Sequence, residues 1–110
     1  MHELSIAESV VEAVRERTGD ARIARVFLGI GKLSCIEPEA VRFCFELCAR
    51  GTSVQGAALE IDEVAGRARC RGCGAEDVEI EGAIPLCRCG SADLQVVAGE
   101  RMLVTAVEIA

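Results

Sequence analysis

Residues 66–91, GRARCRGCGAEDVEIEGAIPLCRCGS, decide how the rest of the chain divides. Four cysteines, five glycines and four arginines are packed into this stretch, a sharp change from the apolar, helix- and strand-like patterns on either side. Cys70-Arg71-Gly72-Cys73-Gly74 and Cys87-Arg88-Cys89-Gly90 give C-x2-C-x13-C-x-C. Four thiolates fill a tetrahedral zinc shell and leave no position open for substrate, the mark of a structural site. Glycine after each pair lets the backbone turn tightly and aim amides at sulfur, and Arg67, Arg69, Arg71 and Arg88 can offset the negative charge of a four-thiolate complex. A segment of about 25 residues buries little core of its own, so the metal supplies its stability. A redox dithiol and an iron–sulfur centre are the other chemistries such a cluster allows.

Outward from this insert the patterns are regular. Leu4, Ala7, Val10, Val11 and Val14 recur at helical spacing, with Ser5 and Glu8 as a capping box, and Thr18-Gly19-Asp20 ends the helix. From Arg22 to Ile30 the period becomes two, which predicts a strand. Pro38 opens a second helix whose Val41, Cys44, Phe45 and Cys48 share one face, and Gly51 stops it. Ala57, Leu59 and Ile61 predict a second strand; Leu103, Thr105, Val107 and Ile109 predict a third. The expected fold is therefore α/β (α+β): two helices on a three-stranded mixed sheet, with a small inserted zinc-binding domain. Residues 1–65 and 94–110 form the α/β domain in this scheme, and residues 66–93 the zinc-binding domain. Strand order does not follow from the pattern.

A chain of 110 residues, half apolar and a quarter charged, holds one ordinary domain or a small domain with an appendage. No apolar stretch approaches the roughly 20 residues that span a bilayer, and acidic residues stand where a secretion signal would be positive, so a cytoplasmic protein is expected. There thiols stay reduced, and the seven cysteines favour metal binding over disulfides. A net charge of −6 argues against nucleic acid as a partner. Cys44 and Cys48, on an apolar helix face, are expected to pack as small hydrophobes; Cys35 receives no role.

His2 is the one histidine and stands beside the amine of Met1. That amine, the His2 amide nitrogen and the imidazole can close adjacent chelate rings on one ion, a nitrogen-rich set suited to square-planar Ni(II) or Cu(II). The simpler alternative is an exposed terminal histidine without function. Met1-His2-Glu3-Leu4-Ser5, Arg50-Gly51-Thr52, Arg67-Ala68-Arg69-Cys70 and Cys89-Gly90-Ser91 resemble the HypA/HybF family of hydrogenase nickel-insertion proteins over nearly the whole length. The resemblance implies that Met1, His2 and Glu3 hold nickel as cargo and that Cys70, Cys73, Cys87 and Cys89 hold a structural zinc. The family usually has C-x-x-C at both cysteine pairs. Here Leu86 stands where the third cysteine is expected and Cys87 follows one place later, which leaves the third ligand open.

The resemblance further implies a nickel metallochaperone rather than an enzyme. Its partners would be a hydrogenase-maturation GTPase and the large subunit of nickel–iron hydrogenase, and the chain itself has no G-x-x-x-x-G-K phosphate loop. From the residues alone two rivals stand: a zinc-ribbon interaction module that binds no nickel, and a thiol-redox enzyme with an exposed, low-pKa cysteine pair.

Overall fold

The apolar spacing at the start of the chain becomes a helix that begins at His2, three residues ahead of the expected cap. Ser5 therefore lies within the helix, where its carbonyl accepts a hydrogen bond from the Ser9 hydroxyl at 2.9 Å, and the Ser5–Glu8 capping box is not formed. A capping residue needs non-helical backbone, which Ser5 does not have. The computed structural model describes residues 2–80 and 85–110. In chain order its elements are α1 (His2–Thr18), β1 (Ile23–Gly31), a 3-10 turn (Lys32–Ser34), α2 (Pro38–Ala49), β2 (Ala58–Val64), β3 (Gly66–Cys70), β4 (Val78–Ile80), β5 (Leu94–Ala98) and β6 (Met102–Ile109).

Two compact units result. The first comprises Met1–Gly29, Ile36–Asp62 and Leu103–Ala110. Its mixed sheet has the order β2-β1-β6, with α1 and α2 packed on each other, so the expected two helices and three strands are present. Gly31 N–H donates to Arg101 C=O at one end of β1, and Ala110 N–H donates to Arg22 C=O at the other, so β1 and β6 run antiparallel. Val26 and Leu28 of β1 are fully buried with Ala7, Val10 and Val14 of α1 and Val41 and Phe45 of α2, the layered core that one-faced elements must build. Pro38 occupies the first turn of α2, where its missing N–H costs nothing.

The second unit comprises Ile30–Cys35 and Glu63–Met102. Its sheet, order β4-β3-β5, is antiparallel throughout and was not among the expected strands. Gly66 faces Ile80 across β3 and β4, and Cys70 faces Leu94 across β3 and β5. In β3 the residues Gly66, Ala68 and Cys70 are buried, and Arg69 between the last two is exposed, so Cys70 leaves the strand pointing inward. Gly99 has φ +91, and a Cβ there would lie 2.7 Å from the Ala65 carbonyl oxygen. Only glycine fits both the backbone and the space.

Candidate metal centre

Two tight turns carry the thiols. After β3, Cys70 N–H donates to Ala75 C=O (2.9 Å) and Gly74 N–H returns to Cys70 C=O (2.9 Å). This reversal aims the Cys73 amide at Cys70 Sγ, 3.4 Å away. The second turn repeats the plan: Cys87 N–H donates to Ser91 C=O (3.0 Å) and Gly90 N–H to Cys87 C=O (2.9 Å). Gly74 and Gly90 carry the left-handed backbone, with φ +79 and +90, that each turn requires. The Ser91 hydroxyl accepts the Asp93 amide at 3.1 Å and braces the second turn. Ala75 and Ser91 thus close the two turns through backbone carbonyls; Ala75 gives no side-chain signal of this, whereas Ser91 lies in the Cys89-Gly90-Ser91 run.

The turns face each other so that sulfurs pair across them. Cys70 Sγ lies 3.7 Å from Cys89 Sγ, Cys73 Sγ lies 3.6 Å from Cys87 Sγ, and all four ligand atoms fall within 4.8 Å of one another. These separations are far above the roughly 2.05 Å of a disulfide and suit four donors around one ion. Among the described residues no other three His, Cys, Asp or Glu side chains converge in this way. The C-x-C spacing does not keep Cys87 out of the cluster: Cys87 is 7% exposed, and Leu86, where the third cysteine was expected, is 49% exposed. The apolar residue faces outward and the thiol inward.

Hydrogen bonding and mutual proximity pull the thiols apart in acidity. The Cys73 amide, donated to Cys70, draws the Cys70 thiol down to about 6, against the desolvation that opposes it. For Cys89 the Ser91 amide acts in the same downward direction, but the adjoining Cys73 and Cys87 thiols and desolvation outweigh it and push Cys89 up to about 12. Cys73 also rises: the Ala75 amide lowers it, and the Cys87 and Cys70 thiols win. Four thiolates cannot coexist here without a cation. The expected arginine compensation is largely spent elsewhere, because Arg67 pairs with Asp77 (3.6 Å), Arg71 with Asp93 (3.2 Å) and Arg69 with Gln95 (3.1 Å). Backbone amides, which need no charge partner, face the sulfurs instead.

At the other expected site Met1 lies outside the described residues. His2 is exposed at the start of α1, and its Nε2 lies 3.3 Å from Glu3 Oε2. Glu3 is mostly buried, and its carboxyl is held below the ordinary range by its own backbone N–H and by that of Glu37 at the entrance to α2, against desolvation, with His2 adding to the effect. Glu3 thereby anchors the first turn of the helix that presents His2. The remaining cysteines stand apart: Cys44 and Cys48 are half-buried, burial and then Glu8 push the Cys48 thiol up, and Cys35 is exposed in the left-handed residue that ends the 3-10 turn.

Among the described residues no helix is long and apolar enough to cross a membrane. Comparison with known proteins identifies the family. The family model described as "Hydrogenase/urease nickel incorporation, metallochaperone, hypA" matches residues 1–109. The hydrogenase maturation factor HypA of a Nostoc species is 46% identical over 99% of this chain and 96% of its own length. That of Geobacter metallireducens is 43% identical over 99% of both. Among solved structures, the solution structure of the Ni metallochaperone HypA from Helicobacter pylori superposes with a TM-score of 0.68 at 22% identity, over 97% of this chain and 96% of that one. A second HypA solution structure gives 0.71 at 23% identity, over 100% and 97%. These two show the shared fold. HypA proteins are maturation factors and metallochaperones, not enzymes. On a family match that runs from end to end, and on relatives above 40% identity along the same span, this chain belongs to the HypA family.

Proposed function

We propose that this protein is a cytoplasmic nickel metallochaperone: Met1, His2 and Glu3 bind Ni(II) as cargo for nickel–iron hydrogenase, and Cys70, Cys73, Cys87 and Cys89 hold a structural Zn2+. The family match over residues 1–109 is the single observation that carries it. The delivery partners that the family implies are the large subunit of the hydrogenase and a maturation GTPase; the chain itself has no phosphate-binding loop. Residues 1–65 and 94–110 hold the nickel and residues 66–93 the zinc.

Zinc is favoured by the donor set. Zn–S bonds of about 2.3 Å in a tetrahedron require sulfurs about 3.8 Å apart, and the two close pairs here are 3.7 and 3.6 Å. Bound there, zinc supplies a closed crosslink with no water position and hence no Lewis-acid chemistry toward a substrate. Nickel transfer needs the opposite, a site from which ligands leave one at a time. His2 is exposed and Glu3 is held by backbone amides, so the terminus can present cargo outward while the start of α1 stays fixed. The chelate needs a free amine at Met1 and a deprotonated His2 amide, and the first amides of a helix have no intrahelical acceptor to lose.

Nickel titration of the parent and His2→Ala tests this. A loss of nickel affinity of at least about tenfold in His2→Ala, with zinc content unchanged, is expected. Equal affinity in the two proteins would sink the nickel assignment and leave the zinc-ribbon interaction module. One residue added ahead of Met1 should weaken nickel binding in the same way.

A further inference from the structure

We infer that the solvent-facing seam between α1 and α2 is a docking surface for a basic amphipathic helix of a partner protein. α2 has two apolar faces. Val41, Phe45 and Ala49 are buried in the core, whereas Phe43 and Leu47, one turn apart, are 66% and 41% exposed. Leu4 of α1 is exposed as well. A helix needs one apolar stripe to pack on its own unit. Large apolar side chains left together beyond that stripe mark an interaction site.

The helices run side by side in the same direction. Their N-terminal ends meet where the Glu37 amide reaches the Glu3 carboxylate. Their C-terminal ends meet at a groove of about 700 Å³ lined by Glu16, Gly19 and Asp20 on one side and Cys48 and Thr52 on the other. Glu8 and Val11 share that groove with Cys48, so α1 flanks the Cys44–Cys48 side of α2. At 100° per residue, Ala40, Leu47 and Phe43 follow in turn round α2 from Cys44, away from the buried Val41–Phe45–Ala49 face. On α1, Leu4 precedes Glu8 and Val11 at i, i+4 and i+7, which brings it to the same side. Apolar anchors thus follow the seam along its length, the spacing with which a groove receives a helix.

Charge selects the occupant. Glu8, Glu12, Glu16 and Asp20 line the groove with one cation, Arg15. This unit holds eleven acidic against six basic side chains, −5 of the chain's −6. A second copy would bring like charges together at a cost of several kcal/mol, and anionic lipid is repelled for the same reason. A helix with apolar residues on one face and Lys or Arg beside them satisfies both features. The surface does not depend on nickel at the terminus.

A synthetic helical peptide of leucine and lysine, with a leucine–glutamate peptide of equal length as control, tests the surface by fluorescence titration at low and high salt. The parent is expected to bind the lysine peptide and not the glutamate peptide. Phe43→Ser and Leu47→Ser should each weaken binding by about tenfold or more. Val97→Ser, an exposed apolar residue of the other unit, and His2→Ala should leave it unchanged. Glu12→Gln with Glu16→Gln should flatten the salt dependence. Parent-like binding by both Phe43→Ser and Leu47→Ser overturns the proposal, as does equal binding of both peptides. Concentration-dependent self-association that either substitution abolishes gives the surface to a second copy instead and also overturns it.

Discussion

The two units solve the same problem with different materials. In the first, Val10, Val14, Val26, Leu28, Val41 and Phe45 bury a continuous apolar layer between two helices and a sheet. In the second, the buried apolar set among the described residues is Ile30, Ala68, Ile80 and two of the cysteines, Cys70 and Cys87. Burial of apolar surface at roughly 25 cal/mol per Å² can order the first unit, whereas the few aliphatic side chains buried among the described residues of the second do little to order a segment of that length. The cysteine unit therefore relies on the crosslink that a bound metal would supply, and the contrast predicts separate responses to metal removal. Structural zinc contributes about 10–16 kcal/mol to comparable small modules. A strong chelator, or Cys73→Ser, should lose one equivalent of metal and amide protection throughout β3, β4 and β5, with α1 and α2 still protected in hydrogen exchange. Uniform loss of protection in both units would erase the distinction.

The opposite perturbation is Phe45→Ala. It removes the largest buried side chain of α2 and should cost about 3–5 kcal/mol in denaturant unfolding of the helical unit, with metal content unchanged. Phe43→Ala, two residues away on the exposed face, should cost no more than about 0.5 kcal/mol. Similar costs for the two would mean that α2 does not have the inward and outward faces assigned to it.

That contrast also explains what the residues disclosed in advance. α1, β1, α2, β2 and β6 follow from strongly apolar residues at period 3.6 or 2, and the structure has them where the pattern predicts. β3 carries an equally clean alternation, Gly66, Ala68 and Cys70 inward, but glycine, alanine and cysteine hardly register as apolar. β4 has three residues, too few for any period, and β5 alternates between half-buried and exposed positions without a full core face. The convergence of four thiols was legible from spacing, because paired cysteines with glycine turns have few other uses. The inward placement of Cys87 in a C-x-C pair was not, since it depends on the Cys87–Ser91 backbone bond. Ser5 misled for a related reason: a cap is set by backbone conformation, not by residue type.

A smaller effect separates backbone from metal within the cysteine unit. Gly99→Ala places a methyl 2.7 Å from the Ala65 carbonyl oxygen on a backbone with φ +91. Strain of about 1–3 kcal/mol is expected. Because the residue is remote in sequence from both cysteine turns, metal stoichiometry should stay at one while the melting of β3 and β5 shifts down. Loss of the metal would show that the sheet, not the turns, sets the sulfur geometry.

The mildest lever is pH, and its sign differs with and without metal. In the metal-free protein Cys70 titrates at about 6, below the roughly 8.5 of an unfolded cysteine. Its thiolate favours the folded unit fully above about 8.5, and that contribution fades as pH falls toward 6. Cys89, raised to about 12, acts in reverse: its contribution is present below about 8.5 and is lost as pH rises toward 12. Metal-free stability should therefore pass through a maximum near pH 8.5. Metal binding removes the compromise. Near neutral pH the Cys73 and Cys89 thiols are still protonated, so at least those two protons must leave as the ion enters, and affinity should climb with pH until they are gone. Zinc titration in a weakly buffered indicator solution counts them directly. Entry of zinc without proton release would mean that the thiols do not share the ion, and the second unit would then owe its order to its small sheet alone.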